Sequence, residues 1–314
     1  MLLRGKLLRL INLSLVLFLS LSTYGFQDHS KHKKAIPSGP PILWQEPADI
    51  ASRDLFWGSG GEAMKPDLSR VTFIKEETGG FSKKYRVSDG AGHVWVAKLS
   101  KEAQPEIAST RIVWALGYNT ELCYLVPKVT IEGKGTFENV RFEARSEDVK
   151  RLDEWKWDSN PFIGTREFQG LKVLMILLEN WDIKDENNKI LFVKNNETGK
   201  GEMRYIISDL GATFGKTGNF VTRTRNKPED FVKAKFINEV KGSRVDFRYS
   251  GKRQNIFNDI TIEQARWIGD LLGRLSDQQI ADAFRAANYA PDQIQMLTEA
   301  MKTRITELTT LPMR

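Results

Sequence analysis

The sequence predicts an α+β protein of two lobes: an N-terminal lobe with an antiparallel sheet and one helix, and a C-terminal lobe that is mainly helical. Strand-like segments run from about residue 70 to 145 with a single helix among them. A helix that is apolar nearly all round follows at 168–179, and such a helix belongs inside a helical lobe. Helix-start signals recur from residue 261 onward. Strands first and helices later is the order of an α+β fold.

The first 25 residues have the pattern of a secretory signal peptide. Arg4, Lys6 and Arg9 precede an uncharged, leucine-rich stretch at 10–21, and small residues follow near Gly25. The apolar stretch is too short for a membrane span, which needs about 20 residues. We therefore expect an exported protein, periplasmic or secreted, with no stable membrane span after cleavage. An uncleaved N-terminal anchor is the alternative.

The remaining chain is predicted to divide into three parts. Residues 26–66 are polar and turn-rich, and they are predicted to form a tether or an extension over the domain. Residues 67–145 are predicted to form the N-terminal lobe, a sheet that would cover a nucleotide. Residues 146–314 are predicted to form the C-terminal lobe, with a catalytic loop and the C-terminal helices.

In the N-terminal lobe, the segment 93–99 alternates with the period of a strand, so that Val96 and Lys98 share one face. A lysine there either meets a partner or extends from an edge strand to water. The helix that follows has Pro105 near its start and a glycine at its end. Glu106, in its first turn, could pair with Lys98 or simply favour the helix dipole, and Glu102 is the alternative partner.

A hairpin loop at 76–83 precedes that strand. Gly79 and Gly80 permit positive φ and expose backbone N–H groups, and from there Ser82 and Lys83 could reach a phosphate. An ordinary turn has the same composition, so the loop alone leaves both interpretations open.

Three polar residues in the C-terminal half carry the strongest chemical signal. Asp182 follows the apolar helix, Asn187 comes five positions later before a short strand, and Asp209 closes a second strand in Asp209-Leu-Gly211. One carboxylate at such a spacing can orient an attacking hydroxyl, while an amide oxygen and a second carboxylate hold Mg²⁺. A polar turn between a helix and a hairpin is the alternative.

Together with Val96-Ala-Lys98, these segments resemble the protein-kinase superfamily. The resemblance is closer to its atypical branch, the HipA-like and phosphatidylinositol 3- and 4-kinase-like enzymes, where Asp-Leu-Gly-type triplets replace Asp-Phe-Gly. It covers roughly residues 70 to 275 and implies a protein-kinase-like fold with ATP and Mg²⁺ between the lobes. The chain would then be an exported bacterial member of this branch.

The resemblance also implies a role for each motif residue. Catalytic roles fall on Asp182 and Lys98, and metal binding falls on Asn187 and Asp209. The nucleotide would be bound by Gly79, Gly80, Ser82, Val96, Lys98 and Glu106. The chain departs from the family pattern in three ways: no His-Arg-Asp precedes the catalytic position, no Ala-Pro-Glu follows Asp209, and the glycine loop is incomplete.

Composition excludes several other classes. The formal charge is +7, but part of that excess lies in the signal segment. The remaining basic runs are short and lack any nucleic-acid-binding signature, so no nucleic-acid partner is expected. Three histidines and one cysteine argue against a His/Cys metal site and against a Cys-His nucleophile. Cys123 lies in an apolar run and is predicted to be a buried small hydrophobe without a disulfide.

The sequence thus predicts an exported kinase-like phosphotransferase that uses ATP and Mg²⁺, with an unknown protein, lipid or glycan hydroxyl as acceptor. A non-catalytic kinase-fold binding module is the first alternative, because ATP is scarce outside the cytoplasm. Transfer of AMP rather than phosphate is the second. Residue types alone do not separate the three.

Overall fold

The computed structural model describes residues 38–80, 82–194 and 200–312 of the 314-residue chain. The predicted signal peptide, residues 1–25, lies outside them. Within these ranges, no helix combines the length and apolar character that a membrane crossing requires.

Residues 38–66, which precede the sheet lobe, are hydrogen-bonded to the rest of the domain. Its short strand β1 (Pro41–Ile42) pairs in parallel with a strand of the C-terminal lobe. The Trp44 indole donates a hydrogen bond to the carbonyl of Leu116 at 2.7 Å. The Tyr124 hydroxyl donates to the carbonyl of Gly61 at 2.8 Å. The described part of this segment, from residue 38, therefore packs along the domain.

The N-terminal lobe is an antiparallel sheet with one helix, as predicted. Its elements are β2 (Thr72–Glu77), β3 (Lys83–Ser88), β4 (Val94–Leu99), α1 (Ala103–Ala115), β5 (Cys123–Ile131) and β6 (Gly135–Ala144). The strand order is β2-β3-β4-β6-β5, with every neighbouring pair antiparallel. One face of β4 places Trp95 and Ala97 in an apolar core. The opposite face carries Val96 and Lys98, as the alternation predicts.

Helix α1 begins and ends where the sequence predicts. Pro105 lies in its first turn, where a missing N–H costs no helical hydrogen bond. Gly117, just beyond its end, has φ +95°, and a Cβ there would lie 2.2 Å from the carbonyl oxygen of Gln45. Only glycine tolerates both the conformation and the close approach.

The C-terminal lobe begins at β7 and contains most of the helices. Its elements are β7 (Val149–Asp153), α2 (Arg166–Leu177), β8 (Asn188–Lys194), β9 (Gly201–Ile207), α3 (Pro228–Lys233), β10 (Ile237–Lys241), β11 (Arg244–Phe247), α4 (Ile262–Leu272), α5 (Asp277–Ala286) and α6 (Pro291–Thr309). Helix α2 is buried along its length from Phe168 to Leu177, which explains its all-round apolar sequence. The predicted capping boxes open α4 and α5, and Pro291 opens α6.

One feature of this lobe differs from the prediction. Strands β1, β9, β8 and β7 form a four-stranded sheet in that order, so the lobe is less purely helical than expected. Strand β7 was not predicted, because its charged sequence Val149-Lys-Arg-Leu-Asp153 is typical of a solvated surface run. The predicted two-lobed α+β class is nevertheless confirmed.

Candidate active site

The ammonium group of Lys98 lies at the centre of the candidate site. Its Nζ is 3.0 Å from Glu106 Oε2, 3.0 Å from Glu102 Oε2 and 3.4 Å from Asp209 Oδ1. Only 5% of the Lys98 side chain is exposed. The sequence offered Glu106 and Glu102 as alternative partners, and the structure places both on the same ammonium. Asp209 reaches it from the C-terminal lobe.

Lys98 and Glu106 belong to a longer buried ionic cluster. Arg141 of β6 is the cross-strand neighbour of Lys98. Its Nη1 donates a hydrogen bond to Glu106, and its Nη2 donates one to Glu143. Glu143 in turn accepts from Arg151 of β7. Glu106, Arg141 and Glu143 are all buried. Each charge in this row has an opposite neighbour, which is the condition under which buried charges are tolerated.

The protonation equilibria follow from this packing. Burial raises the pKa of Glu106 to about 7, although Arg141 and Lys98 both favour its ionised form. Burial opposes the charge of Lys98, but Glu106 and Asp209 outweigh it, so the pKa of Lys98 lies above its ordinary value. Partial desolvation opposes the charge of Asp209 too, although 41% of its side chain stays exposed, yet Lys98 and Arg141 lower its pKa below the usual range. Lys98 and Asp209 are therefore both ionised at neutral pH.

Asp182 and Asn187 lie on the loop between α2 and β8, close to the end of β9. The Asn187 amide nitrogen donates to the main-chain carbonyl of Asp182 at 2.6 Å. The carbonyl of Asn187 accepts from the N–H of Ser208 at 2.7 Å, directly before Asp209. The structure thus brings the three polar residues of the C-terminal motif into one region.

Two lysines neutralise the Asp182 carboxylate. Lys184 Nζ lies 3.1 Å from Oδ2, and Lys252 Nζ lies 2.8 Å from Oδ1. Asp182 retains 19% side-chain exposure. Its Oδ1 is nevertheless buried, so the carboxylate is only partly accessible, and a group that approaches it meets the two ammonium groups as well.

Asp209 and Asn187 carry the types of oxygen donor that a magnesium site uses. Asp209 keeps 41% of its side chain exposed, and its Oδ1 is positioned by the N–H of Gly211 at 3.1 Å. Asn187 uses its amide nitrogen for Asp182, which leaves its amide oxygen outside that bond. Among the described residues, no group of three or more acidic, histidine or cysteine side chains is arranged to hold a metal. A site of one carboxylate and one amide suits Mg²⁺, which takes its other ligands from water and phosphate.

The glycine loop joins β2 to β3 as predicted. Gly80 has φ +76°, and the space beside Gly79 is open. Ser82 donates from Oγ to Glu102 Oε2 at 3.1 Å, so it faces the site. Lys83, expected near a phosphate, instead lies over the Tyr85 ring at 5.2 Å, on the apolar side of the sheet.

The lysine that faces the site is Lys84, because alternate strand residues point to opposite faces. Lys84 is the cross-strand neighbour of Lys98, and its Nζ would lie 3.3 Å from a Cβ at Gly80. Burial and repulsion from Lys98 and Arg141 lower the pKa of Lys84. The positive charge of Lys84 would attract an anion to the space beneath the loop.

Val96 has the predicted orientation but little free surface. It shares the Lys98 face, pairs across the sheet with Glu143, and is 3% exposed. A nucleobase would contact Val96 only if neighbouring side chains moved aside.

Sequence reasoning missed several residues of this region. Strand alternation could have identified Lys84, and the same alternation in β6 could have placed Arg141 and Glu143 on the face of Lys98. Lys252 had no such signal, because it reaches Asp182 from a loop far along the chain. A separate cavity of about 560 Å³ beside α4, lined by Arg166 and Trp267 among others, contains none of the predicted site residues.

No protein-family model matches the sequence, and no curated protein matches it. Among solved structures, the chain is similar to the Helicobacter pylori proinflammatory kinase CtkA, with 14% identity and a TM-score of 0.48 over 78% of this chain and 97% of that one. It is also similar to the Rio2 kinase of Chaetomium thermophilum, solved as an ADP/Mg²⁺-phosphoaspartate complex, with 11% identity and a TM-score of 0.32 over 78% and 74% of the two chains.

Proposed function

We propose that the protein is an exported kinase-like phosphotransferase that uses ATP and Mg²⁺ to phosphorylate a hydroxyl acceptor. The observation that carries the proposal is the convergence of Lys98, Glu106 and Asp209, which a strand, a helix and a loop of the other lobe bring together within 3.4 Å of one ammonium. In a phosphoryl-transfer site, a lysine held by a helix glutamate binds phosphates beside a metal-binding aspartate. The resemblance of the three motifs to the kinase superfamily supports the same conclusion.

On the nucleotide side, Lys98 would bind phosphate oxygens, and Glu106 would hold the ammonium in place. The backbone N–H groups of Gly79 and Gly80 and the Ser82 hydroxyl would cover the phosphates from above. Val96 would contact the nucleobase once its neighbours move. Preorganised charges of this kind stabilise a transferring phosphoryl group without further rearrangement.

On the acceptor side, Asp182 would orient the attacking hydroxyl. Asn187 and Asp209 would hold Mg²⁺, which supplies charge neutralisation to the phosphates. Lys184 and Lys252 each pair with one oxygen of the Asp182 carboxylate and would help to orient it. Most of the rate enhancement would come from positioning and charge stabilisation.

Export is part of the same proposal and is supported by the signal-like pattern of the first 25 residues. Expression of the full chain in a bacterial host, followed by fractionation and N-terminal sequencing, tests it. Cleavage near Gly25 and recovery outside the cytoplasm are expected. An intact N-terminus in the cytoplasmic fraction would exclude export in that host.

The function is tested with the purified mature chain, Mg²⁺, and ATP labelled at either the γ or the α phosphate. Transfer of the γ label, lost in Lys98→Met and retained in Lys302→Met, supports phosphoryl transfer. Lys302 is a suitable control because it forms an exposed ion pair with Asp277 on the C-terminal helices. Attachment of the α label would indicate AMP transfer instead. ATP binding without covalent transfer or hydrolysis would indicate a binding module.

A further inference from the structure

The carboxylate of Glu102 is held by three groups that are each suited to bind phosphate. Its Oε2 lies 3.0 Å from Lys98 Nζ and accepts from the Ser82 hydroxyl at 3.1 Å. Its Oε1 forms an ion pair with the guanidinium of Arg225. Proteins bind phosphate groups with the same kinds of side chain: an ammonium, a hydroxyl and a guanidinium around anionic oxygens.

Glu102 is not needed to neutralise Lys98. Glu106 and Asp209 already lie within 3.4 Å of that ammonium, so Glu102 adds a third carboxylate to a single positive charge. Glu102 also lies nearer to solvent, since its side chain is 17% exposed and that of Glu106 is 2% exposed. Glu106 is therefore the structural partner of Lys98, whereas Glu102 occupies the mouth of the site.

Arg225 is brought to this mouth by contacts that do not involve Glu102. The side-chain nitrogen of the next residue, Asn226, donates at 3.3 Å to the carbonyl of Lys101 and to Gln104 Oε1. Asn226 Oδ1 accepts from the Tyr289 hydroxyl at 2.6 Å. These bonds fix the backbone beside Arg225 against the start of α1. The Arg225 side chain is 42% exposed, so its guanidinium can turn toward an incoming ligand.

From these contacts we propose that Arg225 is a phosphate-binding residue of the nucleotide site, and that Glu102 occupies the place of a nucleotide phosphate until ATP binds. This inference rests on the proposed function. Binding exchanges one anion for another: the Glu102 carboxylate turns to solvent, and a phosphate takes over its bonds to Ser82, Lys98 and Arg225.

The exchange has two consequences for affinity. Glu102 competes with the phosphates and so weakens ATP binding, because the ion pairs that hold Glu102 must be broken first. A nucleoside without phosphates has no anionic group that could replace the Glu102 carboxylate at Lys98 and Arg225, so Glu102 does not affect its binding. A partly exposed ion pair contributes about 1 kcal/mol, which corresponds to about a fivefold effect on ATP affinity.

The test is calorimetry of the mature chain with Mg²⁺ and a non-hydrolysable ATP analogue, and separately with adenosine. Glu102→Gln keeps the size of the side chain and removes its charge, and we expect it to tighten analogue binding by about fivefold. Arg225→Met should weaken analogue binding by about fivefold or more in the Glu102→Gln background, where no Glu102 charge remains to be neutralised. Adenosine affinity should stay unchanged in all variants. Glu132→Gln, which loses an exposed pair between Arg70, just before β2, and Glu132, just after β5, is the matched control.

The outcomes separate this inference from the proposed function. If Glu102→Gln weakens analogue binding, Glu102 supports Lys98 and does not stand in for phosphate. If Arg225→Met has no effect in the Glu102→Gln background, Arg225 serves only to neutralise Glu102. Either result overturns the inference while nucleotide binding stands. If neither the wild type nor Glu102→Gln binds the analogue, although both unfold cooperatively, nucleotide binding itself is refuted and the inference with it.

Discussion

Replacement of Lys98 and Glu106, singly and together, tests the central pair of the site. Their side chains are 5% and 2% exposed, and Nζ and Oε2 are 3.0 Å apart. Removal of one partner from a buried pair typically costs about 3–5 kcal/mol, because the other charge is left uncompensated. Here each keeps another partner: Glu106 keeps Arg141, and Lys98 keeps Glu102 and Asp209. We therefore expect single losses of about 2–3 kcal/mol and a coupling energy of about 1–2 kcal/mol.

The assay is urea unfolding of the wild type, Lys98→Met, Glu106→Gln and the double variant, followed by far-ultraviolet circular dichroism. The double variant should lose about 1–2 kcal/mol less free energy of unfolding than the sum of the two single losses. Lys302→Met with Asp277→Asn is the control, because that pair is 47% and 67% exposed and should couple by less than about 1 kcal/mol. Additive losses at Lys98 and Glu106 would refute the pairing. So would equal or stronger coupling between Lys98 and Glu102.

Three further predictions concern other parts of the molecule. ATP binding should require Mg²⁺ or Mn²⁺, and calorimetry should show that Asp209→Asn weakens it more than Asp182→Asn; equal binding without metal would contradict this. Burial raises the pKa of the Cys123 thiol to about 11, so a thiol reagent should label the native protein slowly at pH 8 and the unfolded protein quickly. The thiol ionises at lower pH in the unfolded protein than in the native protein, so Cys123 should lower the free energy of unfolding as pH rises above about 9. This pH dependence should be absent in Cys123→Ala. Arg304→Met should cost about 3 kcal/mol in urea unfolding, because the buried guanidinium donates to three main-chain carbonyls; a loss below about 1 kcal/mol would show that these bonds are dispensable.

The parts of the site that sequence reasoning placed correctly are those governed by short-range rules. Strand alternation put Lys98 on the inner face of β4, and helix-end signals put Glu106 in the first turn of α1. The burial of Cys123 is confirmed for the same reason, since its neighbours are apolar along one strand. In each case the side chain's surroundings follow from residues a few positions away.

The parts that could not be predicted depend on pairing between distant segments. Strand β7 looks like a solvated charged run, and only its pairing with β8 brings Arg151 to Glu143. The contact of Lys252 with Asp182 depends on how the loop after β11 folds back onto the segment after α2, where the N–H of Lys252 donates to the carbonyl of Trp181. No local pattern specifies either contact, because the partner of each charge is set by the tertiary fold.

The balance of charge around Lys98 explains why metal and nucleotide should bind together. Basic and acidic side chains in this cluster are nearly equal in number before any ligand arrives. The cations are Lys84, Lys98, Arg141, Arg145, Arg151 and Arg225, and the carboxylates are Glu102, Glu106, Glu121, Glu143 and Asp209. Phosphates brought into such a balanced site would repel Asp209, since like charges a few ångströms apart at low effective dielectric cost several kcal/mol. Under the proposed function, a divalent cation held by Asp209 would offset that repulsion, and the departure of the Glu102 carboxylate would remove a further negative charge.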